Sequence, residues 1–296
     1  MLYVKPDFYD DFHCIASRCR HSCCLGWEID IDQESLSRFM AVEGDFGDFM
    51  RKNIELSPTP HFVLSADERC PFLQSDGLCR MILSLGEDSL CDICREHPRF
   101  YNELPGRLES GLGLSCEEAA RLLREGEGHL ELIFEGDAEL AESFIIPLRQ
   151  KVFDALRDES LSASLRMEKA MALFGMELMA FDADRLRDFY MGLERLEEDW
   201  TDKLRALRPV ELEPALSGIG YLRLAEYFVY RHLPAALNEY EAGLYTQFAF
   251  LSARLVCALD LLTGDTEAAR LYSAEIEYSD ENVELVLDYI EENIPD

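Results

Sequence analysis

Thiols are the side chains in this chain whose type and spacing point to chemistry. The stretch CIASRCRHSCCLGWEID, residues 14–30, puts Cys14, Cys19, Cys23 and Cys24 within eleven positions. A second group runs Cys70, Cys79, Cys91, Cys94 and Cys116, spaced C-x8-C-x11-C-x2-C-x21-C. Nine of the ten cysteines therefore precede residue 117, and Cys257 stands alone in a helical pattern. A structural zinc takes four thiolate or imidazole ligands and an iron–sulfur cluster about four thiolates. Nine cysteines exceed one such site, so either some stand outside the ligand shell or there are two sites. Zinc ribbons use C-x2-C twice, whereas only Cys91 and Cys94 have that spacing here; the scattered all-sulfur set leans toward iron–sulfur, with zinc as the alternative. Adjacent Cys23 and Cys24 are expected to point in different directions, as neighbours in extended backbone do. The plainer reading, a buried thiol acting as a small hydrophobe, suits Cys257 best.

The compartment bears on that reading. The N-terminal MLYVKPDFYDDFHC lacks an apolar targeting core, and the apolar segment FAFLSARLVCALDLL is interrupted by Arg254 and Asp260, so a soluble cytoplasmic protein with no membrane span is predicted. Cytoplasmic thiols are kept reduced, which favours metal binding or catalysis over disulfides. With 59 acidic against 28 basic side chains and a net charge of -31, the chain repels phosphate backbones, which argues against nucleic acid as a partner. Other chemistry is poorly represented. After Cys19 and Cys23 the C-x3-C-x2-C signature of radical S-adenosylmethionine enzymes would need a third cysteine where Gly26 stands. No complete G-x-G-x-x-G turn follows a strand pattern. Cys91 and Cys94 lack the βαβ context of a thioredoxin-like pair. The histidines are scattered, although His21 and His97 lie inside the cysteine groups.

The elements that must position these thiols differ along the chain. Residues 1 to about 116 carry most of the proline and glycine breaks and short alternating runs such as GWEIDID and HFVLSA, which predict brief strands in an irregular, metal-stapled region. From Cys116 onward helical periodicity dominates. SCEEAARLLREG reads as a capped helix ending at Gly126, and amphipathic patterns follow at about 139–158, 161–180, 184–207, 219–233, 238–263 and 280–293. The expected fold is mainly α, with a cysteine-cluster metal-binding region over 1–125 packed on an α-helical region over 126–296. Trp27 is expected to pack over the metal site or to stack a ligand.

The order F-x-C-x4-C-x3-CC-x-GW-x-I-x-ID (Phe12 to Asp32), CPFL-x4-LC (Cys70 to Cys79), LGEDSL-x3-C-x3-PR (Leu85 to Arg99) and SC-x-EAARLL (Ser115 to Leu123) resembles the flagellin lysine-N-methylase family. EYFVYRHL (Glu226 to Leu233) resembles a helix of that family in which asparagine is expected in place of Glu226. The same cysteine order is similar, more distantly, to small proteins described as zinc or iron chelators. Glu117 stands where the family usually has proline, Cys91 is additional to its cysteines, and this chain is shorter than the flagellin enzymes.

The resemblance implies a protein lysine N-methyltransferase that moves a methyl group from S-adenosylmethionine to the ε-amine of flagellin lysines. It also implies an iron–sulfur cluster, 4Fe–4S or with zinc as the alternative, held among Cys14, Cys19, Cys23, Cys24, Cys70, Cys79, Cys94 and Cys116, with Cys91 as a further candidate. Lysine must be deprotonated to accept methyl; Glu118, Tyr227 and Tyr230 are candidates for that work, and Trp27 for contact with the methyl donor. The competing function class is a non-catalytic iron–sulfur or zinc protein.

Overall fold

A computed structural model describes residues 1–137 and 142–294. The chain divides into two compact units. One comprises His13–Phe100 and Cys116–Glu118, and the other Met1–Phe12, Tyr101–Ser115 and the chain from Ala119 onward. The division differs from the sequence expectation of 1–125 and 126–296, because the N-terminal strand and the hairpin after Phe100 join the helical unit. The start of the predicted helix at 139 lies outside the described residues.

The helical unit is organised around the long helix Glu239–Thr263. Asn238 caps its start by accepting from the Glu241 N–H at 2.9 Å, and Gly264 ends it with φ +73°. Among the described residues this is the one helix long and apolar enough to cross a membrane, yet 94% of its apolar window is buried inside the protein. Its charges are satisfied there. Arg254 donates to the Met179 carbonyl at 2.8 Å, while Asp260 accepts from Tyr221 Oη at 3.1 Å and from Arg124. Around it lie Ile145–Leu156, Ala163–Met171, Ile219–His232 and Asp280–Asn293, near the predicted stretches. The pattern at 184–207 is two helices, Ala183–Tyr190 and Glu198–Ala206, split at Met191–Glu197. Trp200, Tyr190 and Tyr272 meet edge to face with centroids 6.2–6.3 Å apart.

The sheet of this unit was not foreseen. Leu2–Pro6 runs parallel to Arg107–Leu112, with Leu2 opposite Arg107, and antiparallel to Leu132–Glu135, with Pro6 opposite Leu132. Arg99–Leu104 adds an outer strand beside Arg107–Leu112. Glu109, fully buried on the sheet, takes both guanidinium nitrogens of buried Arg149 at 2.6 Å. Just past the helix Glu117–Glu125, Gly126 has no room for a Cβ, which would come 2.7 Å from the Arg223 guanidinium; that guanidinium donates to the Leu123 and His129 carbonyls and to Asp7.

The cysteine unit is less irregular than its sequence implied. It has its own apolar core of Ile29, Ile31, Phe39, Met50, Ile54, Phe62, Phe72 and Met81, into which Cys70 and Cys91 are also built. Phe62 and Phe72 meet at 5.0 Å, and Arg80 lies 4.5 Å over the Phe49 ring. Two helices missed in the sequence, Gln33–Met40 and Gly44–Lys52, carry part of this core. Of the predicted strands, only His61–Phe62 forms, paired with Ile54–Glu55, while GWEIDID contributes a single bridge from Asp30 to His61.

Candidate metal centre

Backbone pairing decides which thiols meet. The loop after His13 makes a short turn at Ala16–Arg18, and its residues 24–26 then pair with residues 68–70. Cys70 N donates to the Cys24 carbonyl at 2.9 Å, Gly26 N donates to the Glu68 carbonyl at 2.9 Å, and Leu25 bridges Arg69. This pairing sets Cys24 beside Cys70. The CPFLQSDGLC loop closes on itself through the Leu73–Cys79 bridge and Gln74 N to the Leu78 carbonyl at 2.9 Å. Gly77 has φ +80°, and a Cβ there would come 3.2 Å from Ser17 Cα, so the glycine lets that turn lie close to Ser17. Cys79 then leads into Arg80–Leu85 and Cys91 into Asp92–Glu96, which carries Cys94. Asp32 ties the start of Asp92–Glu96 to that of Gln33–Met40, accepting from Asp92 N at 3.0 Å and Ser35 N at 2.8 Å. Burial alone would raise its carboxyl, but these N–H donors hold it down to about 2.

All nine N-terminal cysteines fall in this unit, and Cys257 does not. Cys24, Cys70, Cys79, Cys91 and Cys94 pack on or into the apolar core. The neighbouring Cys23 and Cys70 thiols outweigh burial and hold Cys24 below the ordinary thiol range. Cys94 hydrogen-bonds to Cys91, which lowers Cys91 and raises Cys94. Burial keeps Cys79 raised and His97 lowered, the latter ring lying within electrostatic reach of Cys24. The remaining thiols stand off the core. Cys14 and Cys23 are exposed, and Cys19 lies 3.7 Å from Glu117 Oε2, next to Cys116. Burial pushes Cys19 up to about 11.

Cys23 and Cys24 differ in surroundings, Cys23 exposed and Cys24 packed against the apolar core, while each thiol acts on the other's proton, raising Cys23 and lowering Cys24. Their other neighbours differ, Cys14 and Cys116 for Cys23 and Cys70 and His97 for Cys24. Among the described residues no three cysteine, histidine or carboxylate side chains are arranged to hold a metal ion. The chemistry of the donor set nevertheless suits one. Thiolates are ligands of zinc and of iron–sulfur clusters alike, so forming a site here takes deprotonation and a closing of side chains around the metal.

The other candidates separate clearly. Trp27 is 39% exposed rather than packed in a core, with Nε1 donating to the Cys23 carbonyl at 2.6 Å and its ring 6.3 Å from that of His97. Glu118 is largely buried and belongs to the cysteine unit. Tyr227 and Tyr230 are buried in the helical unit. Tyr227 Oη accepts from Arg231 at 3.0 Å, Tyr230 Oη lies 3.0–3.1 Å from the Ser110 and Val4 carbonyls, and burial pushes both phenols up. Glu226 is fully buried and accepts from Leu130 N at 2.7 Å and Arg157 Nε at 2.8 Å, so a carboxylate at this position balances a guanidinium. His61, His129 and His232 lie beside Glu28, Glu226 and Glu277 respectively. The sequence reading missed the role of Glu117. It accepts from Arg20 N at 2.8 Å and Arg20 Nε at 2.9 Å, which clamps the Cys19 loop to Cys116. The signal available was the departure from proline at that position.

No family model matches the chain, and no solved structure matches it. Lysine-N-methylases of Salmonella choleraesuis and Salmonella typhimurium are each 29% identical to it over 135 residues, covering 41% of this chain and 32% of the relative. The chain thus matches about a third of the length of those relatives. The flagellar biosynthetic protein FliU of Salmonella muenchen is 30% identical over 130 residues, covering 41% of this chain and 77% of that protein. With that coverage added to the ordered cysteine motifs, this chain belongs to the flagellin lysine-N-methylase family.

Proposed function

We propose that the chain is a protein lysine N-methyltransferase that uses S-adenosylmethionine, acts on a lysine-bearing protein such as flagellin, and holds an iron–sulfur cluster among its N-terminal thiols. The observation that carries this reading is the family membership, joined to the gathering of all nine family-region cysteines in one unit. A bound cluster would supply a redox-capable, electron-accepting centre. Cys24, Cys70, Cys79, Cys94 and Cys91 on the core, with Cys14, Cys19, Cys23 and Cys116 outside it, are the residues to hold it. In the transfer the ε-amine nitrogen bonds to the sulfonium methyl carbon as the carbon–sulfur bond breaks, S-adenosylhomocysteine leaves, and the nitrogen gives up a proton. Lysine has a reference pKa of about 10.4, so a neighbouring carboxylate aids the reaction by taking that proton. Of the three candidates Glu118 suits this best, because it shares a unit with the thiols while Tyr227 and Tyr230 commit their hydroxyls inside the helical unit. The acidic surface favours approach of a cationic segment.

Protein purified without oxygen should be brown, contain iron and acid-labile sulfide in similar amounts, and give a calorimetric signal with S-adenosylmethionine. It should transfer labelled methyl to flagellin lysines, faster at higher pH and slower at higher salt. An intact cluster with no donor binding and no label on flagellin or a co-encoded protein would favour the second reading, a non-catalytic iron–sulfur or zinc protein. The observation on that side is that the match spans only 32% of the methylases. Stoichiometric zinc without iron, in protein made with ample iron, would overturn the cluster.

A further inference from the structure

The nine thiols sort by what surrounds them. Cys24, Cys70, Cys79, Cys91 and Cys94 all pack with the Phe62 and Phe72 core, two of them inside it, and the backbone bond from Cys70 N to the Cys24 carbonyl at 2.9 Å fixes that inner group. Cys14, Cys19, Cys23 and Cys116 are absent from that core; two are exposed, and the Glu117 carboxylate, clamped by Arg20, brings the Cys19 loop to Cys116. Cys23 and Cys24 meet where the groups adjoin.

We propose that the cysteine unit has two separate metal sites: an inner one drawn from Cys24, Cys70, Cys79, Cys91 and Cys94, and an outer one made by Cys14, Cys19, Cys23 and Cys116. This deepens the metal-binding part of the proposed function and rests on it. The stoichiometry supports the division, since a zinc ion or an iron–sulfur cluster is filled by about four thiolates, and the outer group offers four while the inner offers five, one more than needed. The sites differ in kind. The inner one is walled by Phe62, Phe72 and Met81 and suits a closed, structural centre. The outer one has two of its cysteines at the surface and a carboxylate 3.7 Å from Cys19 Sγ, which suits a centre that exchanges metal or admits a small molecule. Glu117 acts as a positioning residue for the outer group.

The test is metal and sulfide content of the full chain, purified without oxygen, for wild type, Cys14→Ser/Cys19→Ser and Cys70→Ser/Cys79→Ser. The outer pair should stay folded and lose about half of the bound metal, and a chelator should strip the same half from wild type first. The inner pair should lose the other half, with loss of amide protection in residues 13–100. If the inner pair does not fold, the outer pair decides alone. An outer variant with wild-type metal content overturns the proposal, and so does one with no metal. Wild type holding a single ion or cluster also overturns it, and a parallel methyl-transfer assay tells this from failure of the methyltransferase reading. Glu117→Gln, expected to speed chelation of the outer half only, gives a readout that a general loss of folding would not.

Discussion

In the helical unit the buried positions are filled largely by carbon: Trp200, Tyr190, Tyr272, Phe228, Phe248 and Phe250 are all below 2% exposure, and buried ions there are paired, as Arg149 is to Glu109, or bonded to backbone, as Arg254 is to the Met179 carbonyl. In the cysteine unit the core is smaller, and sulfur takes places that leucine or phenylalanine would otherwise hold, Cys70 and Cys91 within it and Cys24, Cys79 and Cys94 against it. A thiol is a small hydrophobe, so each such place gives less burial than a large side chain while keeping the option of a metal bond. Under the proposed function, the helical unit is stabilised by apolar area and the cysteine unit leaves part of its stability to a bound metal. Structural metal binding is worth on the order of 10 kcal/mol in small domains that depend on it, more than any single aromatic side chain.

That contrast is broken or sharpened most strongly by metal removal. Cys94→Ala, or chelation of the wild type, should abolish amide protection across residues 13–100 while Glu239–Thr263 keeps its protection, and Cys257→Ala should leave metal content unchanged. Hydrogen exchange read by mass spectrometry checks this; equal loss of protection in both units would end the comparison. The helical counterpart is Trp200→Ala, which empties a fully buried site between Tyr190 and Tyr272. It should cost about 3–5 kcal/mol in chemical denaturation of the helical unit and leave the metal content of the chain intact.

Much of the helical unit was legible in the sequence, and for a physical reason. Periodic apolar residues and caps such as Asn238 and Gly264 are local signals, and Glu239–Thr263 follows them closely. What was missed depends on contacts far apart in sequence. Leu2–Pro6 becomes a strand because Arg107–Leu112 and Leu132–Glu135 pair with it, and the break at Met191–Glu197 comes with Glu275 accepting from Leu196 N and Glu197 N at 2.8 and 2.6 Å. In the site, residue types named the thiols but not their grouping. Which cysteine meets which is set by the pairing of residues 24–26 with 68–70 and by the Arg20–Glu117 clamp, and neither has a spacing signature. Trp27 lies beside the thiols, bonded to the Cys23 carbonyl, but at the surface and not in a core as a tryptophan beside glycine suggests.

Glu226 offers a smaller test within the helical unit, because the family resemblance expects asparagine there. Glu226→Asn shortens the side chain and leaves the Arg157 guanidinium without its buried carboxylate. A loss of about 2–3 kcal/mol is expected, below the 3–5 kcal/mol of a fully buried pair because Arg157 is 26% exposed. Denaturation of the double variant Glu226→Asn/Arg157→Leu checks the cause: it should recover part of the loss, and a purely additive result would show that the pair is not the reason.

Asp32 carries the smallest effect and the clearest sign. Its carboxylate accepts from Ser35 N and Asp92 N, joining two helix starts of the cysteine unit, and the folded state holds its carboxyl near 2 against an ordinary value of 3.8. A carboxyl depressed by folding binds its proton more readily in the unfolded chain, so its contribution is fully present above about pH 4 and is lost as pH falls through about 2. Asp32→Asn keeps an acceptor for the helix cap but has no charge to titrate, so it should cost about 1 kcal/mol near neutral pH. The gap between wild type and variant should close as the pH is lowered from 4 to 2, and that difference curve isolates Asp32 from the many other carboxylates titrating in both proteins. A gap that stays constant over this range would mean that the two N–H donors do not favour the charged form, and that the cysteine unit owes these helix starts to packing alone.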